Sequence, residues 1–159
     1  MDVVFTPVDL ESSVSTCIAF RKDAWIISHG TEEGFSKEEA VRWFRSIKEE
    51  SPFGFLHIWY EGIVVGQLEF MSNIKTSDNQ KAGYVNLFYL TPEYRGIGLG
   101  QIIHDYVINE LIKAKCIGAM LRYIPGNARA ENFYLKNGWY KSGDAEPKRG
   151  QLMRKDFIK

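Results

Sequence analysis

A short turn that contains Arg95, Gly96, Gly98 and Gly100 has the composition of a phosphate-binding loop. It follows an apolar run, residues 85–90, which predicts a buried strand, and it precedes apolar residues at helical spacing. The first N–H groups of a helix have no partner within the helix, and the helix dipole is positive there. Glycines let a bulky group approach this backbone, and the arginine adds a fixed positive charge. The turn therefore predicts a site for a phosphate or pyrophosphate.

Two common nucleotide-binding motifs do not fit this turn. A Walker A loop requires Gly-Lys-Ser/Thr at its end, whereas Gly100 is followed by Gln101. A dinucleotide fingerprint requires G-x-G-x-x-G, and counting from Gly96 or Gly98 places Gln101 or Ile103 at the last glycine. The turn matches the pattern R-x-x-G-x-G instead, and a plain glycine turn that joins strand to helix remains the alternative.

A second motif begins at Asn127 and has the pattern N-x-x-A-x-x-F-Y-x-x-x-G-W. Asn127 can cap a short helix, and Gly138 stands where a left-handed residue at the C-terminal end is expected. Phe133 and Tyr134 fall on one face of that helix. Together the two motifs resemble those of the GCN5-related N-acetyltransferase (GNAT) family, in the same order and at the expected separation.

The resemblance covers the whole chain and implies an α/β (α+β) fold. A mixed, mostly antiparallel sheet of about seven strands, splayed at its central strands, would carry about four helices. Residues 1–159 are expected to form a single N-acetyltransferase domain, which suits the chain length. The implied function is direct acetyl transfer from acetyl-CoA to a primary amine of a small molecule or peptide. The alternative is a non-catalytic module that binds acetyl-CoA as a sensor or structural subunit.

The predicted catalytic residues are Tyr134, Asn86 and Glu69, of which the resemblance supplies the first two positions. Tyr134 aligns with the family's general acid for the departing thiolate, with a core tyrosine beside Phe133 as the alternative. Many members carry a glutamate base where this chain has Asn86, whose amide cannot accept a proton at physiological pH. Glu69 on the preceding strand is the preferred substitute, while His57 and water around Asn86 remain open alternatives. Glu69 could equally be a charge on the solvated face of its strand.

Acetyl-CoA is the implied acetyl donor, and no metal is expected. The backbone of the central strand would bind the pantetheine arm, and an N–H group near Leu90 would polarise the thioester carbonyl. The glycine turn would bind the pyrophosphate, and the Asn127 amide could contact the cofactor as well as cap its helix. The predicted cofactor-binding residues are Phe88, Tyr89, Leu90, Arg95, Gly96, Ile97, Gly98, Leu99, Gly100, Gln101, Asn127 and Tyr134.

The amine acceptor is expected between the first two helices and the last strands. The residues expected to line its pocket are Trp25, His29, Glu32, Glu33 and Phe35 on one side and Asp144 and Glu146 on the other. Carboxylates on both sides would favour a cationic amine, although acidic loops are usually only solvated. Whether the acceptor is a small amine, a peptide or protein N-terminus or a lysine stays open, and transfer to oxygen is a weaker option.

Composition limits the other partners. Hydrophobic residues make up 45% of the chain and charged residues 25%, as in ordinary globular proteins. The formal net charge is zero, so electrostatics favours neither nucleic acid nor an anionic membrane. No apolar run approaches the ~20 residues of a membrane span. Cys17 and Cys116 are expected to be reduced core thiols of a cytoplasmic protein. The oligomeric state stays open, and a homodimer is one possibility.

Periodicity and turn residues predict the elements that position these residues. A first helix, capped at Asp9, extends toward Trp25, and a second begins at a capping box in residues 36–39. Polar residues 72–81 predict an exposed loop. The predicted strands are residues 3–6, 53–60, 63–70, 83–90, 117–123, a segment from about 139, and 151–157.

Overall fold

Seven strands and four helices make up the regular structure in the computed structural model, which describes residues 2–157. The strands are β1 (Val3–Pro7), β2 (Phe55–Tyr60), β3 (Ile63–Lys75), β4 (Lys81–Leu90), β5 (Gly118–Tyr123), β6 (Tyr140–Lys141) and β7 (Gln151–Asp156). The helices are α1 (Leu10–His29), α2 (Lys37–Glu50), α3 (Leu99–Lys113) and α4 (Ala128–Lys136). One sheet contains all seven strands in the order β1-β2-β3-β4-β5-β7-β6. Only β4 and β5 pair in parallel, so the predicted fold class is confirmed.

Helices cover both faces of this sheet. Phe20 of α1 joins Leu87 and Tyr89 of β4 in one buried cluster. Ile103 and Val107 of α3, four residues apart, are buried in a larger cluster on the opposite face. The strand β4 therefore carries core residues on both faces, and it lies at the centre of the molecule.

The helix starts that capping residues predict are confirmed. The Asp9 carboxylate accepts the N–H of Glu11 at 3.1 Å, and the Ser36 hydroxyl accepts the N–H of Glu39 at 3.1 Å. The first helix ends later than Trp25, at Gly30, whose φ of 77° provides a left-handed C-terminal residue.

Two element boundaries differ from the sequence predictions. Half of the predicted loop at residues 72–81 is strand, because β3 continues to Lys75 and β4 begins at Lys81. Ladder hydrogen bonds join backbone groups, so polar side chains on an exposed hairpin do not prevent pairing. The second strand begins at Phe55 because Pro52–Gly54 form a 3-10 turn, a position that suits proline.

Both cysteines are free and buried, as predicted. Burial raises the pKa of the Cys17 thiol to about 12 and also raises the pKa of Cys116. Both thiols therefore stay protonated at neutral pH and behave as small apolar groups.

Within residues 2–157, no helix combines the length and apolar composition that crossing a membrane requires. In the same part of the chain, no group of three or more His, Cys, Asp or Glu side chains is placed to hold a metal ion. The cytoplasmic location and the lack of a nucleic-acid partner stay predictions, and the oligomeric state stays open.

Candidate active site

The sheet opens between β4 and β5. These strands pair over three positions, the last of which joins Val85 to Leu121. Beyond that pair, residues 86–90 remain next to β3 but have no partner on the β5 side. The backbone N–H and C=O groups on this edge need partners from a ligand or from water. The predicted splay of the central strands is therefore present.

A bulge at Asn86 begins the opening. Glu69 and Phe70 are consecutive on β3, whereas their partners on β4 are Leu87 and Val85, so Asn86 is the extra residue. Asn86 Oδ1 is buried and has no hydrogen-bond partner in the described part of the chain. A buried acceptor without a partner is costly, so this oxygen favours a ligand or water that donates to it.

A cleft of about 1250 Å³ passes through the opening. Pockets for one small ligand usually have volumes of ~300–1,000 Å³, so this cleft has room for two substrates. Gly98 and Tyr134 line it from the start of α3 and from α4, Trp25 and Trp43 line it from α1 and α2, which form the acceptor end, and Asn86 lines it from β4. Both sides of the lining therefore meet at the open edge of β4.

The glycine turn has the geometry that an anion site requires. Gly98 is the residue before α3, and its φ of 96° lies in the left-handed region that favours glycine. Gly96 also has a positive φ, and a Cβ built there would lie 3.4 Å from Arg129 Nη2. No described side chain caps α3, so its first N–H groups are available to a ligand.

The Arg95 side chain is held by α1 rather than left free beside the turn. Arg95 Nε donates to the Leu90 carbonyl at 2.8 Å, and Nη2 lies 3.1 Å from the Asp23 carboxylate. The Tyr89 hydroxyl donates to the same carboxylate at 2.5 Å. The positive charge expected beside a phosphate is thus paired with Asp23, and Arg129 is the guanidinium that lies next to Gly96.

Tyr134 lines the cleft from α4. Its ring packs near Phe88, with ring centroids 6.4 Å apart, and near Trp139, with centroids 6.0 Å apart. Burial raises the pKa of the Tyr134 phenol to about 12, and no residue in 2–157 accepts a hydrogen bond from it. The phenol is therefore protonated at neutral pH and available to donate into the cleft.

Buried hydrogen bonds fix the segment that carries Tyr134. Trp139 Nε1 donates to His104 Nε2 at 2.9 Å. Because an indole only donates, His104 Nε2 accepts, and its Nδ1 donates to Asp105 at 3.0 Å. Burial lowers the pKa of His104, which favours this neutral form. Gln101 Nε2 also donates to Asn137 Oδ1 at 2.7 Å, so Gln101 joins α3 to the end of α4.

The other predicted cofactor residues differ in their placement. Phe88, Tyr89 and Leu90 lie on the open edge of β4. Asn127 Oδ1 accepts the N–H of Ala130 at 3.2 Å, which confirms the cap, while its contact with a cofactor stays a prediction. Ile97 and Leu99 of the turn differ in burial: Ile97 is 43% exposed, whereas Leu99 is fully buried.

Glu69 is fully buried, and its carboxylate is occupied by donors. Trp43 Nε1 donates to it at 2.5 Å and Gln67 Nε2 at 2.8 Å, while Arg21 pairs with it through Nε and Nη2. A carboxylate has about four acceptor positions, so these bonds leave none free. Arg21 and Trp43 form the cleft wall here, and a base role for Glu69 would require one of these bonds to open.

His57, the alternative base, is also buried and lies away from the cleft lining. Its Nε2 donates to Gln67 Oε1 at 2.9 Å and lies 3.5 Å from Cys17 Sγ. Burial lowers the pKa of His57, so the ring stays neutral. Together with Gln67 and Glu69, His57 forms a buried polar network that supports Arg21.

The acceptor end of the cleft has a different charge from the one expected. Of the predicted residues, those that line it are Trp25, His29 and Phe35. Those that lie outside the lining are Glu32, Glu33, Asp144 and Glu146. Glu32 forms an ion pair with Lys22 at 3.4 Å, and Glu146 forms one with Arg122 at 3.3 Å. Arg122 and Arg149 line the cleft instead, and Glu39 of α2 is the carboxylate found among the described lining residues, so cationic groups outnumber acidic ones there.

Sequence reasoning missed Arg21, although a signal was present. Arg21 follows Cys17 by four residues and precedes Ala24 by three, so it lies on the inner face of α1. A charge at such a position indicates a buried partner. Arg122 and Arg149 gave no comparable signal, because strand alternation and loop position both suggest ordinary solvent exposure.

A sheet that splays beside an uncapped, glycine-led helix is the architecture of the acetyltransferase fold implied by the two sequence motifs. The sequence matches the model of the Acetyltransferase (GNAT) family over residues 19–139. The chain therefore belongs to the GNAT acetyltransferase family. A comparison with curated proteins finds no match.

Solved structures of the same fold include two N-acetyltransferases and one protein in complex with a bisubstrate analogue. The PaiA N-acetyltransferase from Thermoplasma acidophilum, in complex with coenzyme A, is 19% identical, with 99% of this chain and 100% of that chain covered and a TM-score of 0.69. The ribosomal-protein-alanine N-acetyltransferase from Brucella melitensis is 17% identical, with coverage of 97% and 99% and a TM-score of 0.72. Arabidopsis thaliana Naa50, in complex with the bisubstrate analogue CoA-Ac-MVNAL, is 17% identical, with coverage of 99% and 100% and a TM-score of 0.71. At these identities the likeness establishes the fold.

Proposed function

We propose that residues 1–159 form a single acetyl-CoA-dependent N-acetyltransferase domain that transfers the acetyl group directly to a primary amine of a small molecule or peptide. Membership of the acetyltransferase family supports the general activity. The observation that carries the proposal is the opening between β4 and β5, which Tyr134 lines and where Asn86 Oδ1 has no partner. That opening offers one place where a donor and an amine could meet.

The residues of the opening fit acetyl-CoA. The unpaired edge at residues 88–90 offers N–H and C=O groups to the amides of the pantetheine arm. The uncapped start of α3, with Gly96 and Gly98 before it, suits the pyrophosphate. Arg129 and Lys136 add positive charge to the same lining. When bound there, acetyl-CoA supplies a thioester carbonyl that an amine can attack.

Transfer to an amine forms a nitrogen–carbon bond and breaks a carbon–sulfur bond. One proton must leave the nitrogen, and one must reach the sulfur. The Tyr134 phenol, protonated and without a partner, supports its role as the donor to sulfur. Asn86 Oδ1 can accept a hydrogen bond from the amine or from a water that takes its proton. An N–H group near Leu90 would polarise the carbonyl.

The proposal is tested by thiol release from acetyl-CoA in the presence of an acceptor panel. The panel contains alkyl amines, polyamines, amino acids, lysine derivatives and peptides with free N-termini. We expect at least one acceptor to raise thiol release well above hydrolysis, with an acetylated product confirmed by mass spectrometry. Binding of acetyl-CoA with release at the hydrolysis rate for every acceptor would support the non-catalytic module, which the asparagine at position 86 favours.

For Glu69→Gln, we expect lower stability with little change in turnover. The substitution removes the charge that pairs with Arg21, and breaking a buried ion pair costs roughly 3–5 kcal/mol. The Arg21 side chain is 28% exposed, so water compensates part of the loss. We therefore expect thermal unfolding at a clearly lower temperature. The rate kcat, measured well below the melting temperature, should remain within about threefold of the original because water serves as the base.

The matched control is Glu38→Gln, which removes the same charge from an exposed position in the first turn of α2. It should leave kcat unchanged and lower stability by no more than about 1 kcal/mol, the helix-dipole contribution. A loss in kcat of roughly a hundredfold, without a lower melting temperature, would contradict this expectation and support the base role predicted for Glu69 from the sequence. If the rate is retained, Asn86→Glu tests whether a carboxylate on the central strand increases turnover.

A further inference from the structure

We infer that the amine acceptor carries a carboxylate close to its nitrogen, and that Arg122 and Arg149 bind this carboxylate at the acceptor end of the cleft. Because it rests on the proposed N-acetyltransferase function, the inference names the acceptor class of that same site, a small amino acid. In the sequence, the acidic loop residues would have favoured a cationic amine had they lined the pocket.

Arg122 stands at the first unpaired position of the opening. Val85 and Leu121 form the last pair of β4 and β5, so Asn86 and Arg122 follow them on opposite sides of the gap. Only 16% of the Arg122 side chain is exposed, and its Nε is buried with no partner among residues 2–157. An N–H group in that state favours a ligand that accepts a hydrogen bond from it.

The rest of the Arg122 guanidinium is held in place. Its Nη1 lies 3.3 Å from Glu146 Oε2 and donates to the Gly150 carbonyl at 3.4 Å. These contacts orient the group and leave its Nε without a partner, while the Tyr84 hydroxyl lies beside the same guanidinium. A carboxylate can bind that edge in the planar, two-bond geometry that guanidinium groups favour.

Arg149 gives this end of the cleft an excess of positive charge. It lies in the loop before β7, lines the cleft, and forms no ion pair with any residue of the described part of the chain. Burial raises the pKa of Tyr84, and the charges of Arg122 and Arg149 both oppose this rise, so both guanidinium groups lie near one phenol. Glu146 pairs with Arg122, and the carboxylate in the cleft lining, that of Glu39, belongs to α2, so Arg149 leaves a net positive charge beside the gap for an anion.

The two unpartnered atoms beside the gap have complementary needs. Asn86 Oδ1 requires a donor, and Arg122 Nε requires an acceptor. Paired strands lie ~5 Å apart, so one small molecule can reach both atoms where the strands begin to separate. An α- or β-amino acid supplies an amine for Asn86 and a carboxylate for Arg122 only a few bonds apart. A peptide N-terminus places a neutral amide at that distance and leaves the guanidinium without an anion.

The α1–α2 side of the cleft indicates the type of side chain. Trp25, Phe35 and Trp43 contribute aromatic surface there. Aromatic walls favour apolar or aromatic groups, because such groups lose contact with water when they pack against the rings. The acceptor class is therefore an amino acid with an aromatic or aliphatic side chain.

The first test compares L-phenylalanine with L-phenylalaninamide as acceptors in the thiol-release assay, and L-leucine with L-leucinamide. Rates are expressed per neutral amine, from pH profiles, because the amide lowers the pKa of its amine. A charged hydrogen bond predicts that kcat/KM is roughly 10- to 100-fold higher for the carboxylates. Equal or higher rates with the amides would overturn the inference and leave the proposed function intact. Thiol release at the hydrolysis rate with every amine and peptide would overturn both.

The second test uses neighbouring loop residues as a matched pair. Arg149→Gln and Lys148→Gln remove the same charge from exposed positions, but only Arg149 lines the cleft. We expect Arg149→Gln to reduce the preference for carboxylate over amide by roughly 10-fold or more, with an unchanged Kd for coenzyme A. Lys148→Gln should keep the preference. Three results would overturn the assignment. Arg149→Gln could lower kcat/KM equally for the carboxylate and the amide, it could change the preference no more than Lys148→Gln does, or it could weaken coenzyme A binding.

Discussion

Replacing Gly98 by glutamate is expected to eliminate measurable coenzyme A binding in a calorimetric titration. Gly98 has a φ of 96° directly before α3, where a residue with a side chain is strained by roughly 1–3 kcal/mol. The new side chain would also occupy the space into which the first N–H groups of α3 point, and its negative charge would repel a pyrophosphate. We expect Kd to rise by more than roughly 100-fold as a result.

Gly62→Glu is the matched control for this experiment. Gly62 lies in the turn between β2 and β3, its φ is 77°, and a Cβ there would meet nothing within 4 Å. Gly62→Glu therefore introduces the same side chain and similar backbone strain away from the cleft. Its Kd for coenzyme A should stay within about threefold of the original. Coenzyme A binding by Gly98→Glu at the original affinity, in a folded protein, would show that the turn is not the pyrophosphate site.

The glycine turn was predictable from the sequence because its chemistry is local. One continuous segment provides the strand, the positive-φ residues and the free N–H groups of α3, so spacing alone is informative. The same holds for the caps at Asp9 and Ser36, where a side chain bonds a backbone group at most three residues away. Features of this kind depend little on the rest of the fold.

The acceptor end was not predictable in the same way because distant segments assemble it. Arg21 and Glu69 are 48 residues apart in the chain, and nothing in the local pattern of either residue identifies the other as its partner. Arg122 and Arg149 reach the cleft only because β5 diverges from β4 and a later loop returns beside it. The carboxylates of Glu32, Glu33, Asp144 and Glu146 lie outside the cleft lining, as is usual for acidic loops, and tertiary packing brings Arg122 and Arg149 into the lining instead.

The bulge at Asn86 shows a third situation. The sequence identified position 86 as unusual only through the family resemblance, since an asparagine within an apolar strand has no single structural meaning. In the structure Asn86 is the extra residue of β4, and its oxygen lacks a partner. We propose that this oxygen orients an amine or a water without taking its proton, at the position where the family resemblance implies a glutamate.

The rate kcat of Tyr134→Phe is expected to fall by roughly a hundredfold, while the Kd for coenzyme A barely changes. A thiolate that leaves without a proton must be stabilised by water and dipoles alone, so the loss falls on the chemical step. We expect the low end of the usual range for a general acid, because a phenol with its pKa raised to about 12 is a weak proton donor. The phenylalanine ring keeps the packing with Phe88 and Trp139, so stability should change by less than about 1 kcal/mol.

Tyr106→Phe removes the same hydroxyl from a half-buried ring that stacks on Phe5, with centroids 3.9 Å apart, outside the cleft lining. This control should retain full kcat. A loss of kcat in Tyr134→Phe alone would then be due to the position of that hydroxyl in the cleft and not to the loss of a tyrosine hydroxyl in general. Full kcat of Tyr134→Phe at neutral pH would contradict the proton-donor role and show that Tyr134 acts only in packing. Since thermal unfolding is measured on both variants, a large drop in the melting temperature of Tyr134→Phe alone would contradict the expected packing. In that event, kcat per folded molecule, obtained by titrating active coenzyme A sites, still decides whether the phenol donates the proton.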